Sequence, residues 1–450
     1  MVAGIDIGSK EHWVCGPARS DGEPNVRVFG TTTDALNEMA DWLIAQGVVS
    51  VAMESTHVYW IPVYELLESR GIEAVLVDAR QMHNVPGRKT DFRDCQWIQI
   101  LHSRGLLRGS FRPKEAITRL RALQRQMANL VDQRSRYVLW MQKALDQMNV
   151  QVHRAVSDLT GTTGMAIVRD IVAGERDPER LAMHRDPRCR KSVQDIARYL
   201  TGTWRDEHIF NLASALRLYD MCNREIESYE ARLVEEYKAL QPPERREEPV
   251  APHPNPSKER ALRKHGQQEV RAALCRFAGV DLTRIDGIGV GTAQVILTEL
   301  GTDLSAFPSE SEFVSWLRLS PRHSISGGKP LKKRRNGLGA NRVANVLRMA
   351  ATSQRHASTA LGAAYRRRAR RKGAALAVFV TARRLAKLVY RMLRYGQDYV
   401  DVGAEAYEQR FTTRRVASLR AAAKSLGFDL VVQTQAENLE GKYTLEAALS

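Results

Sequence analysis

Across the first 110 residues the chain alternates between short apolar runs and amphipathic stretches. The apolar runs predict strands at residues 2–8, 12–15 and 26–29, and again at 48–54 and 73–78. Helical patterning predicts helices at 32–46 and 58–70, and a further helix opening at Thr90. Beyond this region the pattern becomes helical. Ile117, Leu120, Met127, Leu130, Val138, Met141, Leu145 and Met148 recur at helical spacing, which predicts a long amphipathic helix over 114–155 with coiled-coil-like packing. A second helical stretch covers 211–240, and a small helical insert over 156–205 separates the two.

Three strands in series, followed by strands alternating with helices, is the element order of an RNase H-like domain. A doubly wound sheet would alternate from the start. The long helices read as an antiparallel arm, suited to oligomerisation or to holding nucleic acid. The fold class is therefore α/β plus all-α. Residues 1–110 form the α/β domain, 111–240 the helical coiled-coil arm with its insert, 241–269 a proline-rich linker, 270–410 a helical C-terminal domain, and 411–450 a tail.

Charge sharpens this division. The chain of 450 residues carries a net +17, yet residues 313–397 hold 21 Lys or Arg and no Asp or Glu. The rest of the chain holds 47 basic and 51 acidic residues, so one segment owns all of the excess. A solvated helix face mixes signs; a single-sign segment marks a polyanion surface. No apolar run approaches the roughly 20 residues that span a bilayer. The start lacks a signal-like apolar core. Cys15, Cys95, Cys189, Cys222 and Cys275 lie far apart with no Cys-x-x-Cys pair. That spacing fits a reducing cytoplasm and argues against a zinc ribbon and against a disulfide framework.

Four acids stand at telling positions. Asp6 sits mid-strand in Gly-Ile-Asp-Ile-Gly-Ser, and Glu54 ends a later strand. Asp91 and Asp94 follow in Lys-Thr-Asp-Phe-Arg-Asp, a spacing that puts both on one helix face with Thr90 as N-cap. In an RNase H-like sheet the first strand lies beside the fourth and the last helix crosses nearby, which would gather all four. Any one of these acids alone reads as a surface carboxylate. Together they read as a Mg²⁺ site, because clustered carboxylates repel unless a cation neutralises them and hard oxygen donors suit Mg²⁺. Asp6-Ile7-Gly8-Ser9 also resembles the phosphate turn of actin-like and sugar-kinase ATPases. Those need a second Asp-x-Gly-x-Thr turn, and Asp401-Val402-Gly403 runs on into Ala404 and Glu405 instead.

The C-terminal domain offers a different chemistry. Gly287, Gly289 and Gly291 lie in a run that matches a helix-hairpin-helix turn, in which backbone N–H groups approach a phosphate; a plain glycine-rich turn between helices is the simpler alternative. Ser324 and Ser326 follow in a basic loop, Ser326 ahead of two glycines, with Lys329, Lys332, Lys333, Arg334 and Arg335 close behind. A serine there could attack a phosphodiester, but by composition alone it is a loop residue, and it lacks a local base. Arg342, Arg348, Arg366, Arg367, Arg368, Arg370, Arg371 and Lys372 extend the basic surface, with Tyr365 and Tyr390 interleaved. Such cations touch phosphate more than base edges.

Taken together, these residues resemble the RuvC-like DEDD transposases of insertion-sequence family one hundred and ten, the bridge-RNA-guided recombinases, and most of all the larger subgroup with a long helical insert. The resemblance covers roughly residues 1–410. Asp6, Glu54, Asp91 and Asp94 match the acidic quartet, and the glycine turn and Ser-Gly-Gly loop match the second conserved domain. It implies Mg²⁺ on the quartet and a covalent 5′-phosphoserine link through Ser326, with Ser324 two residues away as the alternative. It also implies donor and target DNA as substrates, a structured noncoding RNA as guide, and a homo-oligomer, dimer or tetramer, with composite sites. Two other readings fit the same residues: a Mg²⁺-dependent junction nuclease without a protein adduct, and a non-catalytic nucleic-acid-binding protein.

Overall fold

A computed structural model describes residues 1–18, 23–55, 57–78, 90–245, 247–320, 341–396 and 403–429, and the backbone of 325–326 and 329–330. The chain divides into two compact units, Met1–Arg112 and Pro113–Ser450.

Among the described residues the first unit is a five-stranded mixed sheet with three helices. Its strands are β1 (Val2–Ile7), β2 (Glu11–Cys15), β3 (Val26–Gly30), β4 (Ser50–Glu54) and β5 (Glu73–Val77). They lie in the order β3-β2-β1-β4-β5. The first three form antiparallel pairs, while β1–β4 and β4–β5 are parallel. Crossover helices make those parallel pairings. They are α1 (Thr33–Ala45) and α2 (Trp60–Ser69), and α3 (Asp91–Ser103) follows the last strand. Thr32 caps α1, and Leu36, Met39, Ala40 and Leu43 bury one stripe of it against Ile5, Val51 and Met53 of the sheet core. This arrangement is consistent with an RNase H-like domain, and all five strands fall where the apolar runs predict them.

The second unit is almost entirely helical. Two long helices, α4 (Glu115–Gln147) and α9 (Asp206–Leu240), pack along each other. Arg134 reaches Asn223 at 3.0 Å and Arg119 reaches Glu236 at 3.7 Å, so the pair is antiparallel, as the sequence predicts. Helix α4 stops well short of 155 because Asn149 takes a left-handed conformation (φ 57°), which ends the helical ladder. Between them lie α5 (Val152–Ala155), α6 (Thr162–Ala173), α7 (Pro178–Ala182) and α8 (Val193–Leu200). Ile167, Ile171, Ile196 and Leu200 of this insert share a core with Met141 and Leu145 of α4 and Leu212 of α9.

The proline-rich stretch that composition marks as a linker is pinned in place. His253 is buried, and its Nε2 meets the Thr283 carbonyl at 3.1 Å. Helix α10 (Pro256–Lys264) begins directly after Asn255, whose side chain accepts hydrogen bonds from Ser257 N and Lys258 N. Proline suits the first position of a helix, so this composition ruled out a continuous helix but not a folded segment. Then come α11 (Gln268–Ala278), α12 (Val290–Leu300), α13 (Glu310–Trp316), a two-stranded ribbon of β6 (Ile325–Ser326) and β7 (Lys329–Pro330), α14 (Arg342–Ser353), α15 (Ala360–Lys372), α16 (Ala374–Tyr395) and α17 (Ala404–Ser425). Helix α17 runs through position 411, where the tail is expected to begin. Among the described residues no helix is long and apolar enough to cross a membrane.

Candidate active site

Strand geometry decides where Asp6 points. Side chains alternate faces along β1, and Ile5 and Ile7 are buried in the core, so Gly4 and Asp6 share the opposite face. Helix α3 lies on that face. A Cβ at Gly4 would sit 2.4 Å from the Gln99 backbone nitrogen and 2.6 Å from the Cys95 carbonyl oxygen. Only glycine lets the two backbones approach so closely. The contact fixes the first turn of α3 above Asp6.

The helix start is set locally. Thr90 accepts a hydrogen bond from Arg93 N at 3.4 Å, which places Asp91 and Asp94 in the first turn, three residues apart. Carboxylates are favoured there by the exposed N–H groups of the helix end. One oxygen from each of Asp6, Asp91 and Asp94 lies within 4.8 Å of the others, so the three could hold a metal ion between them. Asp91 is exposed, while Asp6 and Asp94 are half-buried. The donor set fits a hard divalent cation: three carboxylates, with no sulfur or imidazole among them.

Glu54 stands differently. The parallel register pairs Ile5 with Met53, so Glu54 follows Met53 as Asp6 follows Ile5, at the same ends of adjacent strands. Its carboxylate nevertheless lies outside the three-acid group. Sheet topology brings Glu54 to the strand beside Asp6, at the edge of the site.

Two further features of this site escape a reading of acidic spacing. Gly4 is one, and its signal was present: a glycine inside an apolar strand marks a close backbone approach. The other is the aromatic pair Trp13–Phe92, edge to face with centroids 6.4 Å apart. Trp13 is the cross-strand partner of Asp6, and Phe92, 42% exposed, lies between the two α3 acids in sequence. Behind them, the Cys95 thiol is pushed up by its hydrogen bond with Cys15 and by burial, so it stays protonated.

In the second unit, Gly287 has φ 88°, and a Cβ there would meet Gln354 Nε2 at 2.4 Å. Gly289 is the N-cap of α12, and neither it nor Gly291 has any atom within 4 Å of its would-be Cβ, so the backbone at that helix start is open. Ser326 pairs with Lys329 across the β6–β7 ribbon, with Gly327 and Gly328 between them in sequence. Ser324, Lys332, Lys333, Arg334 and Arg335 lie outside the described residues.

The remaining basic residues divide. Arg368, Arg370, Arg371 and Lys372 are exposed. Arg366 instead donates to the Ala357 carbonyl at 2.6 Å. Arg367 pairs with Glu408 and lies over the Phe411 ring at 3.4 Å, tying α15 to α17. Arg342 lies 3.9 Å from the buried Glu299. Tyr365 and Tyr390 are core residues and not part of a basic surface; the Tyr390 hydroxyl donates to the Phe307 carbonyl at 2.8 Å.

Residues 3–150 match a transposase family model of the DEDD, IS110 type, and residues 281–366 match a model of the transposase IS116/IS110/IS902 family. The two stretches together span just over half of the chain. No curated protein matches it.

Proposed function

The chain belongs to the IS110 family of transposases, and on that premise we propose that it cuts and rejoins DNA through a carboxylate-held Mg²⁺ site and a serine nucleophile. The observation that carries this reading is the convergence of Asp6, Asp91 and Asp94. Three carboxylates so close repel one another strongly unless they share a cation. Mg²⁺ bound there would supply charge neutralisation and Lewis acidity at the scissile phosphate. Glu54 would complete the quartet by side-chain rotation from its place on the neighbouring strand.

In this reading the Ser326 hydroxyl attacks the phosphorus and forms an Oγ–P bond. The bond to the 3′ oxygen breaks, and that oxygen leaves as a hydroxyl after taking up a proton. A 5′-phosphoserine link results, and attack by a 3′-hydroxyl of another strand reverses the step without ATP. Lys329 and neighbouring cations would stabilise the charge that develops on the phosphoryl oxygens. Gly287, Gly289 and Gly291 would form the phosphate-binding turn of a helix-hairpin-helix.

Residues 1–110 are then the RuvC-like catalytic domain, 111–240 a coiled-coil arm, 241–269 the connection, 270–410 the serine-bearing domain, and 411–450 a tail. A structured noncoding RNA guides donor and target choice, and a dimer or tetramer assembles acids and serine from different copies. Support for these last points is the family membership together with a serine segment that has no acids of its own.

The test is incubation with DNA and Mg²⁺ followed by denaturation. A protein–DNA adduct should form, disappear in Ser326→Ala and persist in Ser324→Ala. Cleavage with no adduct would leave the hydrolytic junction nuclease, and full recombination by Asp91→Ala would remove the metal assignment.

A further inference from the structure

We propose that the helical insert carries a second binding site, for the phosphodiester backbone of a nucleic acid, in a cleft formed with α4 and α10. Residues 151–280 fall between the two stretches that match transposase models. The cleft encloses about 1560 Å³, beyond the roughly 300–1,000 Å³ of small-molecule pockets, which favours a polymer.

Six cationic side chains line it: Arg134, Arg154, Arg188, Arg190, Lys191 and Lys264. Its two carboxylates are already engaged. Asp186 is held by Arg188 at 2.8 Å, and Asp158 accepts from the amide and hydroxyl of Thr160 at 2.9 and 2.8 Å. Among the described residues no carboxylate is in ion-pair contact with Arg154, Arg190 or Lys264, although Lys264 acts on Asp186 from beyond contact distance, and all three are exposed. Elsewhere on the insert Arg169 is matched by Asp220 and Arg180 by Glu175. Unmatched like charges repel, and a polyanion relieves that repulsion while releasing its counterions. Helix α6 opens into the same cleft with Gly161 as N-cap and no side chain capping its first turn, and Thr162 at that start is exposed. The inference does not rest on the strand-transfer reading, because binding here is measured without cleavage.

Cys189 lines the cleft and is half-buried, which makes it a built-in probe. Cys15, Cys95 and Cys222 are buried, and burial pushes the Cys275 thiol up to about 12, so Cys189 should alkylate first. The full-length protein is treated with iodoacetamide, a neutral reagent, alone and with saturating poly(U) or poly(dT), and each cysteine is followed by peptide mass spectrometry. Either polymer should protect Cys189, and the triple variant Arg154→Gln/Arg190→Gln/Lys264→Gln should lose that protection. Its slope of log affinity against log salt should also fall by about 2, at roughly 0.7 per phosphate contact on a single strand. The double variant Arg154→Lys/Arg190→Lys should keep both properties, which separates lost charge from lost folding. Protection by both polymers identifies recognition of the backbone alone, and protection by poly(U) only adds a contact to the 2′-hydroxyl. Unchanged Cys189 reactivity with polymer bound, or an unchanged salt slope in the triple variant, would overturn the proposal.

Discussion

In the N-terminal unit, three carboxylates lie within 4.8 Å of one another because a strand face and a helix start are brought together; in the C-terminal helices, cations spread over several faces and some of them hold helices together. Asp6, Asp91 and Asp94 converge through a strand face, a glycine that admits a helix, and an N-cap. Arg366, Arg367 and Arg342 are drawn into contacts within the fold, while Arg370, Arg371 and Lys372 stay exposed. A site for a small, doubly charged ion needs fixed donors, whereas a surface for a long polyanion needs only charge density. The two regions should therefore respond differently to single substitutions.

The sharpest contrast comes from Asp6→Asn. Strand joining, read as recombined product on a gel, should fall about a thousandfold or more, with nucleic-acid affinity unchanged. A wild-type rate in that variant would break the comparison outright. Next is Glu299, the buried acid of the basic half, which Arg121 meets at 3.2 Å and Arg125 at 2.8 Å. Glu299→Gln should lower stability in chemical denaturation by about 2 kcal/mol, because it takes the counter-charge and charged hydrogen bonds from the part-buried Arg121 and the more exposed Arg125. Loss of nucleic-acid binding with unchanged stability would mean that the acid serves the ligand surface instead.

Gly4→Ala should cost about 2 kcal/mol by overpacking α3 against β1, read as a lower unfolding temperature of the N-terminal unit. Activity should fall further than stability does, since the helix it displaces carries two of the acids. The smallest effects distinguish the cations from one another. Arg371→Ala should reduce the salt slope of duplex binding by about 0.9. Arg367→Ala should leave that slope unchanged and instead loosen α17, read as faster proteolysis of the C-terminal segment.

Much of the first unit was legible in the chain itself. Strand positions followed from apolar runs, and the start of α3 followed from Thr90 with its acids behind it, because these features depend on neighbours close in sequence. The long helices were legible for the same reason, though not the stop that Asn149 imposes on α4. The fates of Tyr365, Tyr390, Arg366 and Arg367 were not legible. Each is decided by a partner that comes from another element or turn, such as Phe307 for Tyr390 or Glu408 for Arg367. The proline-rich stretch is similar, since its anchor, His253, bonds to Thr283 thirty residues on.

Sequence alone determined the inventory: four acids on two strands and a helix start, one single-sign basic segment, and a serine beside two glycines. These are local properties of residue type and spacing. Only the tertiary structure decided which acids share a point, that Glu54 stands outside it, and which cations remain exposed. Side-chain conformation and backbone approach at the scale of a few ångströms settle such questions, and they depend on contacts between elements that no local pattern encodes.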